Sequence, residues 1–226
     1  MTVEKIEKSL SEFEWQQIMD LIYLSSVINC AENSKFNTFY YDELIGIIKN
    51  GILESELLHK DDYPLEERAL RGKFVHTLEL KTQAYDMIRT YLENLSSVLE
   101  TIKNAVKNYR CHAQDYILKM KSDEWEIIHY SFSYTLRNYA RQEEISFDDA
   151  GRIPADFKHW TAYANLGRTI YTDILMKIEE QNIEIRNEAH EFPEFEIGLS
   201  DRNFDLLKMG LDKLTALVNK LRNVID

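Results

Sequence analysis

From Leu78 to Met120, apolar and aromatic side chains recur at alternating intervals of three and four: Ile88, Leu92, Leu95, Leu99, Ile102, Val106, Tyr109, Ala113, Tyr116 and Met120, with Tyr85 just upstream. That spacing is a heptad seam, and a helix carrying it needs a partner helix to cover it. No Pro interrupts the stretch after Pro64, and Gly72 is its single Gly before Lys121. The pattern predicts one long helix over about 64–121, whose seam would span about 65 Å at 1.5 Å per residue. Phe204, Leu207, Leu211, Leu214, Val218, Leu221 and Ile225 repeat the alternation near the C-terminal end. Tyr91, Val98 and Ala105 flank the first seam and widen it beyond a two-stranded coil, so three or more helices are expected to meet there.

Three helix-start signals share one form, a Ser followed by acids and a large aromatic: Ser11 with Trp15, Ser122 with Trp125, and Ser200 with Phe204. The hydroxyl can cap a free backbone N–H while the acids face the positive end of the helix dipole. With turn residues at Asn33–Ser34, Asp61–Pro64, Asp148–Gly151 and Pro193–Gly198 as punctuation, six helices are predicted over 11–31, 40–60, 64–121, 123–145, 156–190 and 200–226. Short connections favour antiparallel neighbours. The expected fold is all-α: a single domain over 1–226, an elongated antiparallel bundle built on helix 64–121, with a helical pair at 11–60 packed on it. The shared start signals are compatible with a duplication, but segment lengths and patterns differ too much to establish a repeat.

Composition supports helices, with 7 Gly and 3 Pro among 226 residues and 44% hydrophobic content, ample for a core. A formal charge of −12 disfavours nucleic acid or an anionic membrane as partner and suits a basic protein instead. The two cysteines, Cys30 and Cys111, form no disulfide framework, and Met1–Leu10 lacks the apolar core of a signal peptide. A cytoplasmic location is the expectation.

Two constellations carry enzyme-like spacing. Glu56–His59 and Glu126–His129 are Glu-x-x-His elements, with Glu93 upstream, as in di-metal carboxylate bundles. In the frame set by Trp125, Ile128 and Phe132, however, Glu126 falls outside and His129 on a flank, so no metal or other cofactor is expected. Arg71 and His76, four residues between them, resemble the motif of HEPN-type helical ribonucleases; the resemblance implies a paired Arg and His acting on an RNA backbone, though Gly72 stands where those enzymes usually carry a polar residue. Arg186–His190 is one residue short of the same spacing. Nucleophilic triads, phosphate-binding Gly loops and calcium loops are absent from the sequence.

The remaining candidates are surfaces. The predicted fourth helix carries Ile127, Tyr130 and Tyr134 opposite its core stripe, continued by Arg137 and Arg141. Tyr and Arg cover much area and end in a polar group, which suits interface hot spots. Acids Glu184, Glu188, Glu191 and Glu194 lie in a strongly negative stretch that would steer a basic partner. The expected role is therefore non-catalytic. Ile127, Tyr130, Tyr134, Arg137 and the four acids would bind, and inhibit by steric occlusion, a basic protein such as one that handles nucleic acid, in the manner of immunity-like inhibitors. The HEPN-like or di-metal enzyme is the competing class, and a second copy of the chain could complete the seam as a homodimer.

Overall fold

Burial along 75–81 alternates residue by residue: His76, Leu78 and Leu80 point inward while Val75, Thr77, Glu79 and Lys81 are exposed. That period of two belongs to a strand, not a helix. The computed structural model describes residues 5–32, 38–58, 74–139, 158–181 and 193–226. In chain order these form β1 (Lys5–Ser11), α1 (Glu12–Glu32), α2 (Thr38–Leu58), β2 (Val75–Lys81), α3 (Thr82–Lys107), β3 (Arg110–His112) and β4 (Asp115–Lys121). There follow α4 (Ser122–Tyr130), which runs on into a π-helical segment (Ser131–Leu136), then α5 (Lys158–Gln181), β5 (Glu194–Ser200) and α6 (Asp201–Ile225).

The chain is mostly helical but not all-α. β1 pairs antiparallel with β2, and β3, β4 and β5 form a second antiparallel sheet in that order. The predicted rod over 64–121 is thereby shortened to α3. Its seam residues Ile88, Leu92, Leu95, Leu99, Ile102 and Val106 are all buried, as the spacing requires. Beyond Lys107 the spacing persists but the backbone does not: Ala113 turns the β3–β4 hairpin with φ 54°, a left-handed conformation that no helix contains. No described helix is long and apolar enough to cross a membrane.

The chain divides into two compact units, Met1–Leu95 with Val218–Asp226, and Ser96–Leu217. Inside unit 1 the Tyr85 hydroxyl donates to the Ile225 carbonyl at 2.7 Å, and Lys220 pairs with Glu14 at 2.9 Å. Inside unit 2 Lys103 pairs with Asp212 at 2.8 Å and Arg110 with Glu196.

A tandem structural repeat underlies both units. The order β1–α1–α2–β2–α3 recurs as β4–α4–α5–β5–α6, and the correspondence extends to register. Ser11 faces Val75 and Lys5 faces Lys81; in the second half Lys121 faces Glu194 and Asp115 faces Ser200. The amide of Glu12 donates to the Phe74 carbonyl at 2.7 Å, and that of Ser122 to the Pro193 carbonyl at 2.9 Å. Glu14 and Glu124 each accept the backbone N–H of the residue three places earlier, Ser11 at 3.2 Å and Lys121 at 2.8 Å. The cap expected at Ser122 thus falls on Lys121, one residue earlier. The seams correspond in spacing and burial too, Tyr85, Ile88, Leu92, Leu95, Leu99, Ile102 and Val106 against Phe204, Leu207, Leu211, Leu214, Val218, Leu221 and Ile225.

Candidate interaction surface and polar cluster

Comparing the two halves shows where each departs from the shared plan. In α1 the burial order is Leu21 and Ile22 inside, Tyr23 out, Leu24 and Ser25 inside. In the second half Ser131 and Phe132 are inside, then Ser133 half-buried and Tyr134 exposed, then Thr135 and Leu136 inside. One extra residue has entered the helix, and the π-helical turn over Ser131–Leu136 is how the backbone absorbs it without moving the buried positions on either side.

An aromatic surface lies over that turn. Tyr134 is 55% exposed and stacks on Tyr130 with ring centroids 5.9 Å apart. His129 stacks on Tyr171 of α5 at 4.5 Å, and Tyr171 is itself exposed, as are Leu175 one turn further and Met176 beside it. Gly167 lets α5 come this close: a Cβ there would lie 2.9 Å from the Ser133 amide nitrogen and 3.0 Å from the His129 carbonyl. His129 Nδ1 lies 2.9 Å from the Gly167 carbonyl and 3.2 Å from Ser133 Oγ, which ties the ring between the two helices. Burial holds the His129 pKa below its ordinary value, with the Gly167 bond opposing in part.

Of the residues anticipated for partner binding, Tyr134 is exposed and Tyr130 and Arg137 are half-buried on this helix. Ile127 is 1% exposed and belongs to the core, because α4 buries both sides of its first turns, so it offers nothing to a partner. Glu194 lies in β5, paired with Lys119 at 2.6 Å. Glu184, Glu188 and Glu191 lie outside the described residues, as do Arg71 and His59. Tyr171 and His129 complete the patch without having been anticipated as members; a helix face built from two separated segments leaves no local spacing to read.

The enzyme-like constellations are rearranged. Glu93 is exposed on α3, while Glu126 is half-buried on α4 with its pKa raised first by burial and then by nearby Asp123. They do not gather with His129: among the described residues the one cluster of potential metal donors is Glu12, Glu56 and His76. His76 sits on a strand rather than on the helix that the HEPN-like spacing needs, and it faces inward at 2% exposure. Its Nδ1 is 3.2 Å from Ser55 Oγ and its Nε2 4.0 Å from Glu12 Oε2. The helical setting that the HEPN-like spacing needs is therefore absent at His76, and Glu56 meets His76 and Glu12 instead. No known family model, curated protein or solved structure matches this chain.

Proposed function

We propose that this chain is a non-catalytic binding protein that docks a basic protein through Tyr134, Tyr130 and Tyr171 of unit 2, and neutralises that partner by covering its working surface. The observation that carries the reading is the π-helical insertion. A residue added to a helix disturbs its hydrogen-bond ladder, and such turns are retained mostly where they serve a function. Here the exposed tyrosine that the first half carries as Tyr23 is kept as Tyr134, and with one residue added it stands four places after Tyr130 and stacks on it, where the first half carries Asp20. Exposed tyrosines with apolar neighbours such as Leu175 and Met176 supply desolvated contact area at modest entropic cost. The formal charge of −12 adds long-range attraction toward a cationic surface.

The test begins with affinity purification from the native cells to identify the bound protein, followed by titration of the purified pair. Replacing Tyr130 and Tyr134 together with Ala is expected to weaken binding by at least about tenfold, equivalent to about 1.4 kcal/mol, with unchanged helical circular dichroism. Raising the salt concentration is expected to slow association. An affinity indifferent to the double substitution overturns the docking face.

A further inference from the structure

We propose that Glu12, Glu56 and His76 form a binding site for one divalent transition-metal ion, with Zn²⁺ its best match. The three side chains come from three elements, the first turn of α1, the last turn of α2 and the second residue of β2, and one donor atom of each lies within 4.8 Å of those of the others. Metal–ligand bonds of about 2.0–2.2 Å place neighbouring donors about 3.5 Å apart, so closure needs only small rotations of the two glutamate side chains. The backbone around the site is already held. The Glu12 amide donates to the Phe74 carbonyl, and the Trp15 indole donates to the carbonyl of His76 itself at 3.1 Å. Ser55 Oγ can accept the Nδ1 proton of His76, which leaves the lone pair on Nε2, the nitrogen facing Glu12. An outer hydrogen bond of this kind is the usual companion of a metal-ligating imidazole.

The second half of the chain supplies an internal control. Ser122 and Phe195 occupy the places of Glu12 and His76. The same strand register and the same indole bond form there with neither the Glu12 carboxylate nor the His76 imidazole. Folding of this architecture therefore does not call for those two groups. Two carboxylates and an imidazole gathered at the inward face of β2 make a donor set that one cation can bridge. Two oxygens and an imidazole nitrogen suit Zn²⁺ over Mg²⁺ or Ca²⁺, and three protein ligands leave a position for water or another ligand.

The experiment uses the full chain, stripped with chelator, dialysed against micromolar Zn²⁺ and analysed by elemental mass spectrometry, with Co²⁺ absorption as a second readout of coordination. Wild-type protein is expected to retain one Zn²⁺ per chain, to melt at a higher temperature with the metal than without, and to keep it against excess Mg²⁺. Glu56→Gln and His76→Phe are each expected to weaken binding more than about tenfold. His76→Phe installs the residue that the second half carries, so circular dichroism should stay native; if it does not fold, Glu56→Gln with the Co²⁺ spectrum decides alone. Wild-type protein without bound Zn²⁺, or variants that retain it at wild-type affinity, would overturn the site.

Discussion

Trp15 and Trp125 make the same bond in two different units: each indole N–H donates to the carbonyl of the second residue of the neighbouring strand, His76 at 3.1 Å and Phe195 at 3.2 Å. Both rings are fully buried. Each tryptophan therefore closes a helix start onto the strand that enters much later in the chain. A large aromatic with one donor suits the task because it fills core volume while satisfying an inward-facing backbone oxygen. Trp15→Phe and Trp125→Phe each leave that oxygen without the indole donor and should each cost about 1–3 kcal/mol in urea unfolding. Equal losses are the signature of equivalent roles; a cost confined to one tryptophan would show that the repeat is geometric only.

Gly210 and Phe132 are matched in size. A Cβ at Gly210 would run into the Phe132 ring, which is fully buried and has no free space to turn into. The corresponding positions of the first half hold Tyr91 and Ile22, both buried, so the large and small partners have changed places. Gly210→Ala should destabilise by about 1–2 kcal/mol, even though Ala is the better helix former, because overpacking outweighs propensity. Combining it with Phe132→Leu should recover part of the loss, giving a coupling of at least about 0.5 kcal/mol in a double-mutant cycle. Strict additivity would separate the two positions.

How far the fold could be read from the chain depended on which periods were ambiguous. Leu92, Leu95, Leu99 and Ile102 alternate by three and four, only a helix buries all of them, and α3 and α6 were legible from that alone. Tyr116 and Met120 are four apart, which a helix turn and a strand face both satisfy, so β4 read as more of the same helix. His76, Leu78 and Leu80 do carry a period of two, but with no Gly or Pro between them and Lys107 nothing marked the change. Because the strands were missed, the repeat was missed too: the shared helix starts were visible, whereas the sheet pairing that relates Trp15 to Trp125 joins residues far apart in sequence. The aromatic surface was half legible. Tyr130 and Tyr134 stood out by spacing, while the burial of Ile127 and the arrival of Tyr171 depend on how α4 meets α5.

Gln17 is the position where the first half pays for its divergence. It is 3% exposed, and neither amide atom has a hydrogen-bond partner among the described residues. The second half places buried Ile127 at the same point. Gln17→Ile removes two buried polar atoms and keeps about the same volume, so it should stabilise the protein by about 1 kcal/mol after a small loss in helix propensity. The denaturation midpoint should rise with an unchanged slope. A fall in stability would mean that the amide is bonded in solution, to water or to a group outside the described residues.

His129 makes the stability of unit 2 depend on pH in a direction that can be worked out. Burial between α4 and α5 disfavours the imidazolium, the Gly167 carbonyl offsets this in part, and the folded pKa ends below the ordinary 6.5. The unfolded chain then binds more protons in this window, so stability rises with pH. The contribution is fully present above the unfolded value and is lost as pH falls from about 6.5 toward the folded value. Glu126, whose pKa is raised by burial, acts in the opposite sense. Thermal unfolding between about pH 8 and 5.5 should therefore show a melting temperature that declines on acidification, and His129→Gln should flatten that decline. A variant that keeps the full slope would assign the dependence to another group and remove the ring from its place between the two helices.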